Sequence, residues 1–182
     1  MSAPVTPYRI EVLSKAHSRE GFSCGEPSLD RYLLHQARQD AEKRVAAAFV
    51  LLELPGTRVL GYYTLSSSVI DIGQVPAQLG KRMPRYPQLP VTLLGRLARD
   101  ECMKGHHTGE LLLMDALAKA LQSAGTIGSI AVVVDAKSAN AQAFYQSFGF
   151  TLVQEQPRRL FLPMSVVKCS DSDTFAECSV SL

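Results

Sequence analysis

The sequence predicts a mixed α/β domain, a sheet flanked by helices, and three observations carry that prediction. The second half alternates β-branched apolar runs with helix-like segments, the order from which α/β layers are built. The first half holds two long strand-like runs joined by a Pro-Gly turn. With 182 residues, 46% hydrophobic and 20% charged, the chain has the size and composition of one packed domain.

The elements follow in order. Residues 9–13 alternate weakly and read as a first strand. Residues 26–43 read as one helix, with Leu29, Leu33, Gln36, Ala37 and Asp40 at helical spacing and Pro27 in the first turn. Residues 46–54 and 59–70 read as an antiparallel hairpin about the turn at Pro55-Gly56. Residues 75–90 contain Pro76, Pro84, Pro87 and Pro90, too many for a regular helix or a central strand. They read as a stiff, basic surface loop. Residues 91–99 form a third strand, and residues 109–124 an apolar helix that Gly125 stops. Residues 129–135, SIAVVVD, suit a strand buried on both faces. Ser138 is placed to cap a helix running through Phe148, which Gly149 ends. Residues 150–153 and 159–162 read as a closing strand pair. The domain is expected over residues 1–164. Residues 165–182 have the polar, serine-rich composition of a disordered tail.

Several function classes are excluded. Nineteen Lys plus Arg against seventeen Asp plus Glu give a net charge of +2, so binding by bulk positive charge is out, although a local basic patch remains available. No apolar run is long enough to span a bilayer, and residues 1–13 lack the pattern of a signal peptide. Cys24, Cys102, Cys169 and Cys178 form no CxxC and no metal-ligand spacing with the histidines, so no metal site is expected, and a reducing cytoplasm is the simplest setting.

The loop of residues 100–109 follows a strand and opens directly into a helix. Free backbone N–H groups and the positive dipole end of such a helix favour an anion, and glycine permits close approach. There is neither a P-loop nor a GxGxxG. The segment Lys104-Gly105-His106-His107-Thr108-Gly109 aligns with the Gln/Arg-x-x-Gly-x-Gly/Ala motif of the GCN5-related N-acetyltransferases (GNAT fold), which the chain resembles. His107 stands at the motif's middle glycine. The stretches FSCGEPSLDRYL, GYYTLSSS, RMPRYPQLPVTLLGRLARD, VVVDAKSANAQAFYQSFGF and RLFLPM extend the resemblance over roughly residues 10–164, to the acetyltransferase toxins of type II toxin–antitoxin modules.

That resemblance implies a GNAT-type acyl-CoA N-acyltransferase fold with acetyl-CoA as acetyl-donor cosubstrate. It places the pyrophosphate on Lys104, Gly105, His106, His107, Thr108 and Gly109. Leu97, Ala98 and Arg99 then hold the acetyl and pantetheine part, with Asn140 and Phe144 along the cosubstrate. Tyr145, in AFYQSFGF, occupies the position of the family's proton donor to the departing thiolate. An amino-acid α-amine titrates near ~7.7–8, so a neutral fraction exists without a strong base, and a phenol of pKa ~10 suits the donor role. Residues Lys81, Arg82, Arg85 and Arg96 form a basic stretch suited to phosphates of an aminoacyl-tRNA substrate. The resemblance further implies a ribbon–helix–helix antitoxin that brings DNA association, a homodimer, and no membrane partner. Two other readings remain open here: an acceptor that is a protein N-terminus or small amine, and a non-catalytic regulatory subunit.

Overall fold

The computed structural model describes residues 7–169 and 178–180. It divides into two units, Met1–Leu65 with Arg96–Leu113 and Ser66–Gly95 with Met114–Leu182.

In the first unit, β1 (Tyr8–Val12) pairs antiparallel with β2 (Ala47–Glu53), Ile10 opposite Leu51. β2 pairs antiparallel with the first part of β3 (Val59–Asp71), with an irregularity between Leu51 and Leu52, so the expected hairpin forms. The single helix expected over residues 26–43 is instead two, α1 (Pro27–His35) and α2 (Ala37–Glu42). Arg19 explains the break. Its Nη1 donates to the carbonyls of Leu33 (3.1 Å) and Leu34 (3.0 Å), which a continuous helix would offer to the N–H groups of residues 37 and 38. Leu33, Ala37, Val50 and Tyr62 are fully buried between these helices and strands. Each large side chain so buried contributes about 1.5–3 kcal/mol.

In the second unit, the first part of β4 (Gln88–Arg99) pairs in parallel with β5 (Ala131–Asp135), Leu93 opposite Val133. β5 pairs antiparallel with β7 (Arg159–Pro163), and β7 with the two-residue β6 (Thr151–Leu152). The parallel pair requires a crossover, and α4 (Thr108–Ala124) supplies it. All four apolar residues of β5 are buried, as the β-branched run predicts. Ser138 Oγ accepts the N–H of Ala141 and caps α5 (Ala139–Ser147). The whole sheet has seven strands in the order β1-β2-β3-β4-β5-β7-β6.

The proline-rich segment is shorter and more ordered than expected. A one-turn helix α3 (Ala77–Gly80) follows Pro76, and β4 begins at Gln88, so Pro90 lies inside a central strand. Proline lacks only the donor; the Pro90 carbonyl still accepts the Ile130 N–H at 2.9 Å. In the tail, β8 (Val167–Cys169) pairs antiparallel with β9 (Cys178–Val180), and Cys169 is disulfide-bonded, unlike the fully reduced chain expected. The rest of the expected tail, residues 170–177 and 181–182, lies outside the described residues.

Candidate active site

The anion loop grows out of β4. Leu97 and Arg99 are half-buried and Ala98 is buried. Asp100 then ends the strand and fixes the turn. Its own N–H donates to the Leu60 carbonyl at 2.9 Å. Its carboxylate accepts the N–H of Cys102 (3.0 Å) and the N–H of Ser23 (3.1 Å), while Glu101 N–H donates back to the Ser23 carbonyl at 2.8 Å. Burial pushes the Asp100 pKa up, but these two N–H groups and the Arg58 guanidinium at 3.8 Å outweigh it and hold the carboxyl below its usual range. Sequence reasoning did not assign Asp100 or Ser23 a role. Their only signal was that FSCG and RLARD both fall within the family-like stretches.

Lys104, Gly105, His106 and His107 follow as a fully exposed run. Gly105 has φ +83° and His107 φ +55°, both left-handed. The family's glycine at the fourth position, where His107 stands, is thus explained by backbone conformation, since glycine adopts φ > 0 without penalty. The His107 side chain is 85% exposed, with Nδ1 3.2 Å from Glu110 Oε2 in the first turn of α4. It therefore turns out of the loop, and nothing lies within 4 Å of a Cβ built on Gly105. The loop accordingly has room for a pyrophosphate beside the start of a 17-residue helix. Thr108 is buried, and Gly109 is half-buried within the first turn. Gly61 explains GYY: a Cβ there would lie 2.9 Å from Leu112 Cδ1 and 3.2 Å from the Ala98 carbonyl. Only glycine lets β3 meet the end of β4 and the start of α4 this closely.

The same unit gives Arg96 a specific seat. Its guanidinium lies 3.5 Å from the centre of the Tyr32 ring, a cation–π contact. The Tyr32 hydroxyl donates to Asp40 Oδ2 at 2.8 Å, and the Tyr62 hydroxyl to the Leu29 carbonyl at 2.8 Å. Burial and the bond to Asp40 push the Tyr32 phenol up to about 12. Lys81, Arg82 and Arg85, by contrast, are fully exposed on the proline-rich segment of the second unit. None of the three has an ion-pair partner among the described residues. The four expected tRNA residues thus comprise three open cations and one held on an aromatic face.

In the second unit, α5 carries Asn140, exposed, Phe144, half-buried, and Tyr145, buried. The Tyr145 ring packs edge-on against Phe144 (5.2 Å) and Phe150 (5.5 Å). Burial alone pushes its pKa well above the ordinary phenol value, so the phenol stays protonated across the usual pH range. The two free thiols are poor nucleophiles. Burial and then the Asp30 carboxylate push Cys24 up to about 11, and a hydrogen bond to Asp100 raises Cys102.

A mixed seven-stranded sheet, a parallel β4–β5 pair, and an anion loop between β4 and α4 define the class: a GNAT-fold acyltransferase. No protein-family model matches the chain. It is 37% identical over 164 residues to a tRNA-acetylating toxin of Mycobacterium tuberculosis, covering 90% of this chain and 95% of the relative. The structure matches the toxin AtaT in complex with acetyl-methionyl-tRNAfMet at TM-score 0.82 and 30% identity, covering 87% of this chain and 96% of that one. A tyrosine-to-phenylalanine mutant of AtaT, bound to acetyl-CoA and the C-terminus of the antitoxin AtaR, matches at TM-score 0.74 and 28% identity, covering 87% and 94%. The chain belongs to the family of tRNA-acetylating toxins.

Proposed function

We propose that this protein is a toxin that transfers acetyl from acetyl-CoA to the α-amino group of aminoacyl-tRNA and so blocks translation. The observation that carries this reading is the open β4–α4 loop, with left-handed Gly105 and His107, in a chain 37% identical to a tRNA-acetylating toxin.

Acetyl-CoA supplies a thioester, which an amine attacks with loss of the thiolate. The chain's residues then divide the work. Lys104, the His106 side chain and the N–H groups of residues 105 and 107–109 hold the pyrophosphate, the His106 N–H being bonded to the Met103 carbonyl. The edge of Leu97, Ala98 and Arg99 offers backbone polar groups to the pantetheine, and Asn140 and Phe144 flank the cosubstrate. Tyr145, kept protonated by burial, gives its proton to the leaving sulfur. Lys81, Arg82, Arg85 and Arg96 hold tRNA phosphates. Residues 1–164 are the catalytic domain. A ribbon–helix–helix antitoxin neutralises the toxin and links it to DNA, and the toxin acts as a homodimer. Among the described residues no helix is long and apolar enough to cross a membrane, and we place the protein in the cytoplasm, where charged tRNA is.

The test follows N-acetylation of charged tRNA at several salt concentrations. Lys81→Ala/Arg82→Ala/Arg85→Ala should raise the KM for charged tRNA, spare acetyl-CoA affinity, and flatten the salt dependence by roughly 0.7–0.9 per lost contact. An unchanged KM and slope would take the acceptor away from this surface.

A further inference from the structure

We propose that a cavity beside the basic segment receives one unstacked base of the tRNA. The proposal rests on the acceptor reading above. The cavity has a volume of about 410 Å³, within the range of small-molecule clefts, roughly 300–1,000 Å³. Ile72, Val75 and Met83 give it an apolar floor, and Lys81 and Arg85 stand at its edge. Its walls at Gly73 and Gly80 are bare backbone: a Cβ built on either meets nothing within 4 Å.

Three features fit a nucleobase with its flanking phosphates. First, no carboxylate lines the cavity, and its two cations have no ion-pair partner among the described residues. Second, Gln154 is pinned at the wall. Its N–H donates to the Gln74 carbonyl at 3.1 Å and its Nε2 to the Val75 carbonyl at 3.4 Å. Its Oε1 has no partner among the described residues and is available to a base edge. Third, Tyr86 is 66% exposed between Pro84 and Pro87, an aromatic face beside the cations. Aromatic faces next to cations are how single-stranded nucleic acid is held.

A peptide is the other anionic occupant, and the floor argues against it. A base lays apolar faces on Ile72, Val75 and Met83. A peptide would bring backbone N–H and C=O groups to the same floor, where they find no partners.

The experiment fills the cavity without touching the charges. Gly73→Leu and Gly80→Leu place side chains into open space, and neither glycine has a positive φ. Each variant should keep acetyl-CoA affinity. Each should raise the KM for charged tRNA about five- to a hundredfold, the range one stacked base contributes. The salt slope should stay at the wild-type value, because no phosphate contact is lost. If both leucine variants leave KM unchanged while the Lys81/Arg82/Arg85 alanine variant raises it, the cavity holds no base and the acceptor reading survives. If neither set moves KM, the cavity holds no base and charged tRNA reaches the site by another surface; only an absence of tRNA acetylation by the wild type would overturn the acceptor reading. If the leucine variants spare KM but weaken binding to the antitoxin, the occupant is a peptide and the proposal is overturned.

Discussion

Tyr145→Phe separates chemistry from packing with unusual clarity, because the structure gives the hydroxyl no other task. The ring is 6% exposed and holds its place through edge-on contacts with Phe144 and Phe150, which phenylalanine preserves. No hydrogen bond of the hydroxyl is lost among the described residues. The folding free energy should therefore change by less than about 1 kcal/mol, the size of one ordinary hydrogen bond. Turnover should fall by ~10²–10⁴, the usual worth of a general acid, or roughly 3–5 kcal/mol in the barrier. The pH dependence has a definite sign. Donation requires the protonated phenol, and burial raises the pKa above 10, so the donor form persists through the whole neutral and mildly alkaline range. The wild-type rate should rise with pH as the acceptor amine loses its proton, near ~7.7–8 or below, and should show no falling limb below about pH 10 from this residue. The assay measures kcat and KM for charged tRNA from pH 6 to 9, beside acetyl-CoA affinity and thermal melting. A variant with kcat within about threefold of wild type, or a falling limb below pH 9 that the substitution abolishes, would refute the donor role.

Two further outcomes are expected. His107→Gly relieves a left-handed non-glycine residue and removes an exposed side chain that faces Glu110, so acetyl-CoA affinity should stay within about tenfold, ~1.4 kcal/mol, by titration calorimetry. A larger loss would mean that the imidazole itself grips the cosubstrate. Asp100→Asn places an amide N–H₂ against one of two backbone donors and should cost about 1–3 kcal/mol in urea unfolding at pH 7. The folded pKa lies below the unfolded ~3.9, so the Asp100 contribution is complete above that value and is lost as pH falls through the folded pKa. The gap between wild type and variant should therefore narrow below about pH 4.

The elements that sequence patterning placed well are those whose cause is local. The β-branched run of β5, the Ser138 cap and the glycine after α5 each carry their own signal within a few residues. The failures have distant causes. The break at Gln36 depends on Arg19, fourteen and fifteen residues before the carbonyls it captures. Nothing in the periodicity of residues 26–43 could announce it. Pro90 misled for a different reason. A proline in a central strand is costly only where a ladder bond needs its N–H, and which partner faces it is a property of the sheet.

The same distinction governs the site. The turn from Lys104 to Gly109 was legible as a strand-to-helix loop because it is contiguous in sequence, and the structure adds that His107 takes the left-handed conformation with its side chain facing outward to Glu110. Arg96 was readable as a charge but not as a cation seated on Tyr32, whose own orientation depends on Asp40 in the next helix. Asp100 went unassigned although Arg99 before it and Lys104 a few residues on were singled out. Its partner Ser23 is 77 residues away, and two reciprocal bonds, Ser23 N–H to Asp100 and Glu101 N–H to Ser23, join the segment before α1 to the turn that opens the anion loop. Cys24 N–H then donates to Asp30 on α1 at 2.9 Å. One short segment, FSCG, is thus bonded on one side to the turn after β4 and on the other to the helix that bears Tyr32. The family-like sequence in that segment follows from this double attachment: it holds the loop proposed for the acetyl donor and the helix beneath Arg96 in a single register.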